Sequence, residues 1–162
     1  MNLRTPPPQA DDSDLGLTLD EYLPYRLSAA ADAVSRLIAR AYEDRFGLTI
    51  PQWRVMCVLA EDAASTPAAA AARTGMDRAS VGRAGRELLA RGLVERAGAF
   101  GGEAALTLSR DGRTLFAEIA PLALAYEAAL IAGLAPSEVA MMKRLLSRLQ
   151  TAAAALAGEA GR

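Results

Sequence analysis

The sequence of 162 residues contains no histidine and a single cysteine, Cys57. Without histidine the chain cannot form a Ser-His-Asp triad or a histidine-ligated zinc site. One cysteine cannot close an internal disulfide. Asp11, Asp12 and Asp14 lie in an N-terminal tail, and no other carboxylates have the spacing of a metal or acid–base site. We therefore predict that the protein is not an enzyme and needs no metal and no cofactor.

Aromatic residues make up only 5% of the chain, whereas hydrophobic residues make up 52%. The excess consists of alanine and leucine in helical spacing, which favours a mostly α fold with its sheet confined to one hairpin. The length allows one domain with a sizeable core.

One apolar run, over residues 119–135, contains a single charged residue, Glu127. Pro121 and Gly133 interrupt it, and its length is marginal against the ~20 residues that a membrane span needs. No basic cluster flanks it, and the first residues lack the pattern of a secretory signal. We expect no membrane span and a cytoplasmic protein.

The middle of the chain has the pattern of a winged helix-turn-helix, a DNA-reading module. An alanine-rich helix is predicted over residues 67–73, with Thr66 as its N-terminal cap. Gly75 interrupts the helical pattern. Asp77 can then cap a second helix over residues 78–91.

The second helix has two faces. One face carries apolar and small residues at helical spacing and should pack on the body of the protein: Val81, Ala84, Gly85 and Leu88. On the opposite face, small residues flank Arg83 and Arg86, which suits a helix entering a major groove. These two arginines are the leading candidates for base or phosphate contacts. The full set of predicted DNA-binding residues is Arg73, Arg78, Ala79, Ser80, Gly82, Arg83, Arg86 and Arg96.

A β-hairpin, the wing, is predicted to follow, with strands over residues 93–96 and 104–108 and a loop over 97–103. The net charge is only −1, but residues 66–100 hold six arginines against three carboxylates. A local basic face of this kind is sufficient to attract phosphates. The alternative is that the arginines only solvate a helix surface.

Long helices are predicted on both sides of this module. Thr18 and Glu21 have capping-box spacing, and an apolar 3-4 repeat continues to Gly47 with a bend at Pro24. After the wing, Ser109 precedes a helix that continues past Pro121 to about Ile131. The last helix starts at Pro136 and carries a heptad-like seam: Val139, Met142, Leu146, Leu149, Ala153 and Leu156.

These apolar seams would expose too much apolar surface in a monomer, so we predict a helical dimer interface. The alternative is that the seams pack on each other within one chain.

A shorter helix is predicted after Thr49, which can cap it, with Pro51 in its first turn and Trp53, Met56 and Leu59 on one face. Cys57 falls within this helix between apolar residues. We expect a buried thiol with a raised pKa that acts as a small hydrophobe. The alternative is a redox sensor.

Four segments, in order along the chain, resemble the MarR family of bacterial transcription regulators: LTIPQWRVMCVLAE (48–61), RTGMDRASVGR (73–83), LLARGLVERAG (88–98) and LTLSRDGRTLFAEIAP (106–121). The resemblance covers roughly residues 20–157. It implies an obligate homodimer with interlocked terminal helices, whose two winged domains read a pseudo-palindrome in double-stranded DNA. It also implies a small aromatic or phenolic effector, and we expect a repressor that acts by occlusion.

With this resemblance, we expect a disordered tail over residues 1–17, a single MarR-like domain over 18–157 and a second tail over 158–162. Within the domain, residues 18–47 and 109–157 would form the helical dimerisation region. Residues 48–108 would form the winged helix-turn-helix.

Two departures from the family pattern lie in the DNA-reading parts. Gly82 stands where the family usually has a serine, and Gly85 follows within one turn, each costing about 1 kcal/mol of helix propensity relative to alanine. The helix should be locally weak or closely approached. Residues 98–105 contain no basic residue, although the family usually has an Asp-x-Arg motif there. We expect weaker or narrower DNA binding, with Arg96 at the base of the hairpin able to reach phosphate.

The weakened DNA face leaves an alternative function: a dimeric ligand-binding or protein-interaction module whose DNA binding is weakened or lost. In the family, ligands often lie between the helical region and the winged domain, which suggests Tyr22, Tyr25, Arg26 and Trp53 as a ligand pocket. An aromatic wall and one cation suit an aromatic carboxylate. The alternative is that these residues belong to the core or the dimer interface.

Overall fold

The computed structural model describes residues 17–100 and 103–160. Its mostly α architecture with one small antiparallel hairpin confirms the predicted fold class. The elements are α1 (Leu23–Phe46), α2 (Ile50–Asp62), α3 (Pro67–Thr74), α4 (Arg78–Ala90), β1 (Val94–Phe100), β2 (Glu103–Leu108), α5 (Arg110–Ile131) and α6 (Pro136–Ala160). Apart from Leu17, the predicted N-terminal tail lies outside the described residues. Helix α6 continues to Ala160, three residues beyond the predicted end of the domain.

The chain forms two compact units, Met1–Trp53 and Arg54–Arg162. In the first unit, the predicted capping box at Thr18 is wrong, because the Thr18 side chain makes no capping hydrogen bond. A 3-10 turn, Leu19–Glu21, precedes α1 instead. The predicted bend at Pro24 is also wrong. Pro24 lies in the first turn of α1, where a backbone N–H would have no carbonyl partner within the helix. Proline therefore loses no helical hydrogen bond at this position.

The end of α1 and the start of α2 are as predicted. Gly47 adopts a left-handed conformation with φ +61° and its N–H donates to the carbonyls of Tyr42 and Glu43. Thr49 then caps α2 in a reciprocal pair. The Gln52 amide oxygen accepts from the Thr49 N–H at 3.0 Å, and the Thr49 hydroxyl accepts from the Gln52 N–H at 3.4 Å.

The second unit has its own apolar core, contributed by every element from α2 to α5. Its buried hydrophobic residues are Val55, Met56, Val58, Leu59, Ala70, Ala71, Val81, Ala84, Leu88, Leu93, Val94, Ala105, Leu108 and Ile119. Most of them lie in the segment between α2 and β2, so the winged helix-turn-helix contains the greater part of this core.

The hairpin is longer than predicted. Residues 97–100 and 103 belong to strands, not to the predicted loop. The register shifts between Arg96 and Ala99, with Gly98 at φ +90° between them. This bulge adds one residue to β1 and lets the strands continue, which a period-two pattern does not reveal.

A third segment joins the hairpin. Ser65, just before α3, forms an isolated antiparallel bridge with Leu106, and their backbones exchange two hydrogen bonds of 2.9 Å. The Thr107 hydroxyl also donates to the Ala63 carbonyl at 2.5 Å. The corner between α2 and α3 is thereby attached to β2.

Helices α5 and α6 begin and continue as predicted. The Ser109 hydroxyl accepts from the Gly112 N–H at 3.0 Å and donates to the Gly92 carbonyl at 2.6 Å. Helix α5 continues through Pro121. In α6, large apolar side chains of the predicted seam are exposed in the single chain, among them Met142, Leu146, Leu149 and Leu156.

Helix α5 is also long and apolar enough to cross a membrane, by length and composition only. Only 6% of its apolar stretch is buried. Leu124 and Leu130 are among its exposed side chains.

A first prediction concerns Gly112, where α5 passes the backbone of Leu93. A Cβ atom on Gly112 would lie 1.9 Å from the Leu93 carbonyl oxygen. Gly112→Ala should therefore destabilise the protein by about 3 kcal/mol in urea unfolding, as overpacking does, despite alanine's better helix propensity. Gly158→Ala in α6 is the control, since no atom lies within 4 Å of that Cβ position. A neutral Gly112→Ala would contradict this close approach.

A second prediction concerns Ala63, an exposed residue with φ +61° between α2 and α3. A side chain there costs free energy because its Cβ crowds the backbone, and glycine removes that strain. Ala63→Gly should therefore stabilise the fold by about 0.5–1 kcal/mol in thermal unfolding. Ala60→Gly, at an exposed position within α2, should instead destabilise by about 1 kcal/mol. Equal losses in both variants would show that Ala63 is unstrained.

Candidate nucleic-acid interface

Helices α3 and α4 are each capped at the N-terminus by a side chain. The Thr66 hydroxyl accepts from the Ala69 N–H at 3.2 Å and starts α3, which ends at Gly75 in a left-handed conformation. The Asp77 carboxylate accepts from the Ser80 N–H at 2.8 Å and from the Ser80 hydroxyl at 2.6 Å. Both hydrogen bonds lower the pKa of Asp77, and the one from the Ser80 hydroxyl has the larger effect. Both caps were predicted from the sequence.

The residues of α4 lie on the two predicted faces of the helix. Its core face is buried, as expected, at Val81, Ala84, Gly85 and Leu88. The side chains of Arg78, Ala79, Arg83 and Arg86 are exposed, and Ser80 and Gly82 are half-buried. The Ser80 hydroxyl is engaged by the Asp77 cap, so Ser80 positions the helix start as well as facing this surface.

Four of the predicted arginines, Arg78, Arg83, Arg86 and Arg96, make no ion pair with a described residue. No carboxylate oxygen of the described part of the chain lies within 4.0 Å of their guanidinium groups. Because these side chains are exposed and uncompensated, they form a basic surface on α4 and β1 that can attract phosphates.

Arg73 differs from these four arginines because it forms ion pairs. Its guanidinium donates to the Asp62 carboxylate at 2.7 Å and forms a second ion pair with Glu61, both at the end of α2. The hydrogen bonds that the guanidinium donates to Glu61 and then to Asp62 raise the pKa of Arg73. Two carboxylates thus neutralise this arginine locally, and the structure gives it a role in joining α3 to α2.

The two helix glycines have different surroundings. A Cβ atom on Gly85 would lie 3.1 Å from Leu106 Cδ1, so α4 approaches β2 closely at this point. The same atom on Gly82 would lie 3.5 Å from Arg86 Nη1. The Arg86 guanidinium therefore lies beside Gly82, and α4 remains a continuous helix through both glycines.

Arg86 and Arg96 also border a cavity that the sequence reasoning missed. The cavity has a volume of about 190 Å³ and lies between α4, the hairpin and the start of α3. The two glycines of α4 were its only sequence signal, and from them the sequence predicts a locally weak or closely approached helix, not a cavity.

The predicted ligand residues of the first unit have local roles. Tyr22 and Tyr25 are exposed, and Arg26 donates to the Asp20 carbonyl at 3.1 Å. Trp53 packs against the buried ring of Tyr42, with ring centroids 5.3 Å apart and planes inclined by 56°. Tyr42, which the sequence reasoning did not include, is the aromatic partner of Trp53.

Cys57 is half-buried, and burial followed by the charge of Glu61 raises its pKa to about 11. The direction of this shift was predicted, but full burial was not found. The thiol is protonated at neutral pH and is therefore a poor nucleophile. Among the described residues, no group of three or more His, Cys, Asp or Glu can hold a metal ion.

Comparison with known proteins finds a family model that matches part of the chain. The MarR family model matches residues 46–99. No curated protein sequence gives a significant match.

Solved structures match over most of the chain. A MarR family transcriptional regulator from Silicibacter pomeroyi DSS-3 is 28% identical, with a TM-score of 0.71 over 84% of this chain and 98% of that one. BpsR of Bordetella bronchiseptica, whose DNA binding is regulated by 6-hydroxynicotinic acid, is 25% identical, with a TM-score of 0.73 over 83% and 98%. A MarR/EmrR family regulator from Acinetobacter sp. ADP1, 21% identical over 85% and 98%, shows the same fold with a TM-score of 0.79.

The family model covers the helix-turn-helix and the first strand of the wing, and the structural matches extend to the helices on both sides. Together with the capped α4 and its basic surface, these matches support a winged-helix regulator of the MarR family.

Proposed function

We propose that the protein binds double-stranded DNA as a homodimer and represses transcription by occluding a short pseudo-palindromic operator. The observation that carries the proposal is the set of exposed arginines on α4 and β1 that form no ion pair with a described residue. Helix α4 would enter the major groove with Arg83 and Arg86, while Arg96 at the base of the hairpin would contact phosphate. The two half-sites would lie about one helical turn apart.

The homodimer is supported by apolar side chains that the single chain leaves exposed. In α6 they follow the predicted seam, and in α1 they include Leu23, Val34 and Leu37. Apolar surface of this extent favours burial against a second copy, and a symmetric dimer would present two copies of α4 to a two-fold operator. In this role the protein is a cytoplasmic, non-enzymatic regulator.

A small aromatic effector is part of the proposal. Support comes from BpsR, a structural relative whose DNA binding is regulated by an aromatic acid, 6-hydroxynicotinic acid. Tyr22, Tyr25, Arg26 and Trp53 remain candidate ligand residues, although Trp53 already packs on Tyr42.

A second function, a dimeric ligand-binding or protein-interaction module with weakened DNA binding, is favoured by one observation. Residues 98–105 of the hairpin carry no basic side chain, so the wing lacks an arginine for the minor groove. In this case the exposed arginines of α4 would only solvate the helix.

A DNA-binding assay with fragments of the protein's own promoter region and a random genomic pool decides between these functions. We expect selective, saturable binding that Arg83→Ala or Arg86→Ala weakens by about 1–3 kcal/mol, because each removes a base or phosphate contact. Arg110→Ala, at an exposed position at the start of α5, is the control and should bind normally. Absence of saturable binding at low salt would support the second function.

Arg73 provides a sharper test within the basic surface. Since Glu61 and Asp62 occupy its guanidinium, Arg73→Ala should leave the salt dependence of DNA binding unchanged. Arg83→Ala should reduce the slope of log affinity against log salt by about 0.9 for each phosphate that the variant no longer neutralises. A slope reduced equally by Arg73→Ala would show that Arg73 leaves its carboxylates to bind DNA.

A further inference from the structure

Gly82 and Arg86 are neighbours on the surface of α4. Residues four apart lie on the same side of a helix, so these two residues belong to one row. A Cβ atom on Gly82 would lie 3.5 Å from Arg86 Nη1, which places the guanidinium beside the Gly82 backbone. The Arg86 side chain therefore extends back along α4 towards its N-terminus, as long helical side chains do.

This direction brings the charge of Arg86 closer to the end of α4 that would enter the major groove. In helix-turn-helix proteins, the N-terminal residues of the recognition helix contact the base edges. The backbone of Arg86 lies about 6 Å further along the helix axis than that of Gly82, at 1.5 Å per residue. By lying beside Gly82, the guanidinium recovers this distance.

The guanidinium of Arg86 can contact a base at this position. The Arg86 side chain is exposed and forms no ion pair with a described residue. Arginine donates two parallel hydrogen bonds to O6 and N7 of guanine, which is the commonest specific contact in the major groove. An arginine that reaches the reading end of α4 therefore favours guanine over the other bases.

The missing side chain of Gly82 makes this position accessible. A Cβ atom alone would be in ordinary van der Waals contact with the guanidinium at 3.5 Å. Larger side chains would cover the surface on which the guanidinium lies, and Arg86 would have to leave it. The glycine that lowers the helix propensity of α4 thus has a second effect, which is to determine where Arg86 lies.

We propose that Gly82 is a positioning residue that determines specificity: its bare surface holds Arg86 where the guanidinium reads one guanine in each half-site. This inference rests on the proposed function, because it requires sequence-specific binding of DNA. It adds a base preference and assigns that preference to a residue that makes no base contact through a side chain of its own.

Selection of binding sites from a random DNA library with the full-length protein gives the operator. Affinities are then measured for operators with single base-pair changes. One guanine of each half-site should be required, and its replacement by adenine should weaken binding at least about fivefold. Arg86→Ala should lose this preference and keep those at other base pairs.

Substitutions at Gly82 test the positioning role. Gly82→Leu and Gly82→Met should lose the preference for the same guanine as Arg86→Ala. Gly82→Ala should lose less of it than either, and its thermal midpoint should rise because alanine favours helix. Ala60→Leu, at an exposed position of α2, controls for the added leucine and should keep the preference.

A double variant shows whether Gly82 acts through Arg86. If it does, Gly82→Leu combined with Arg86→Ala should lose no more discrimination at this guanine than Arg86→Ala alone. Additive losses would overturn the proposal, as would a guanine preference that persists in both Gly82→Leu and Gly82→Met. Weakening by the same factor at every base pair would also overturn it, because that result indicates a damaged helix.

The same measurements separate this inference from the proposed function. A wild-type protein that selects no sequence would overturn both. Selective binding by the wild-type protein, with the guanine preference unaffected by the Gly82 variants, would overturn the positioning role alone.

Discussion

The orientation of the DNA-reading helix depends on the position of Leu106 in β2. Its backbone exchanges two hydrogen bonds with Ser65, which fixes the corner before α3. Its side chain lies against the bare face of Gly85, which fixes α4. It also pairs with Arg96 on β1. One residue thus connects the helix-turn-helix with the wing, and a shift of β2 would move the basic residues of α4 relative to Arg96.

Ion pairs, as well as amino-acid composition, determine where the surface of the protein is basic. The chain carries a net charge of −1, yet it presents a basic surface, and the carboxylates of Glu61 and Asp62 are already paired with Arg73. Glu61 and Asp62 lie at the C-terminal end of α2, where the helix dipole disfavours acidic side chains, and the positive charge of Arg73 offsets part of this cost. Arg78, Arg83 and Arg86 of α4 have no carboxylate partner in the part of the chain that the structure describes, so their field extends into solvent.

Features set by local chemistry were predicted from the sequence. The caps at Thr66, Asp77 and Ser109 depend on a side chain and a backbone N–H three residues later, so a short motif contains the whole interaction. The predicted bend at Pro24 was wrong because proline suits the first turn of a helix as well as a bend. The bridge at Ser65, the ion pairs of Arg73 and the cavity join segments that are distant in sequence. Since no single motif contains such contacts, one sequence did not reveal them.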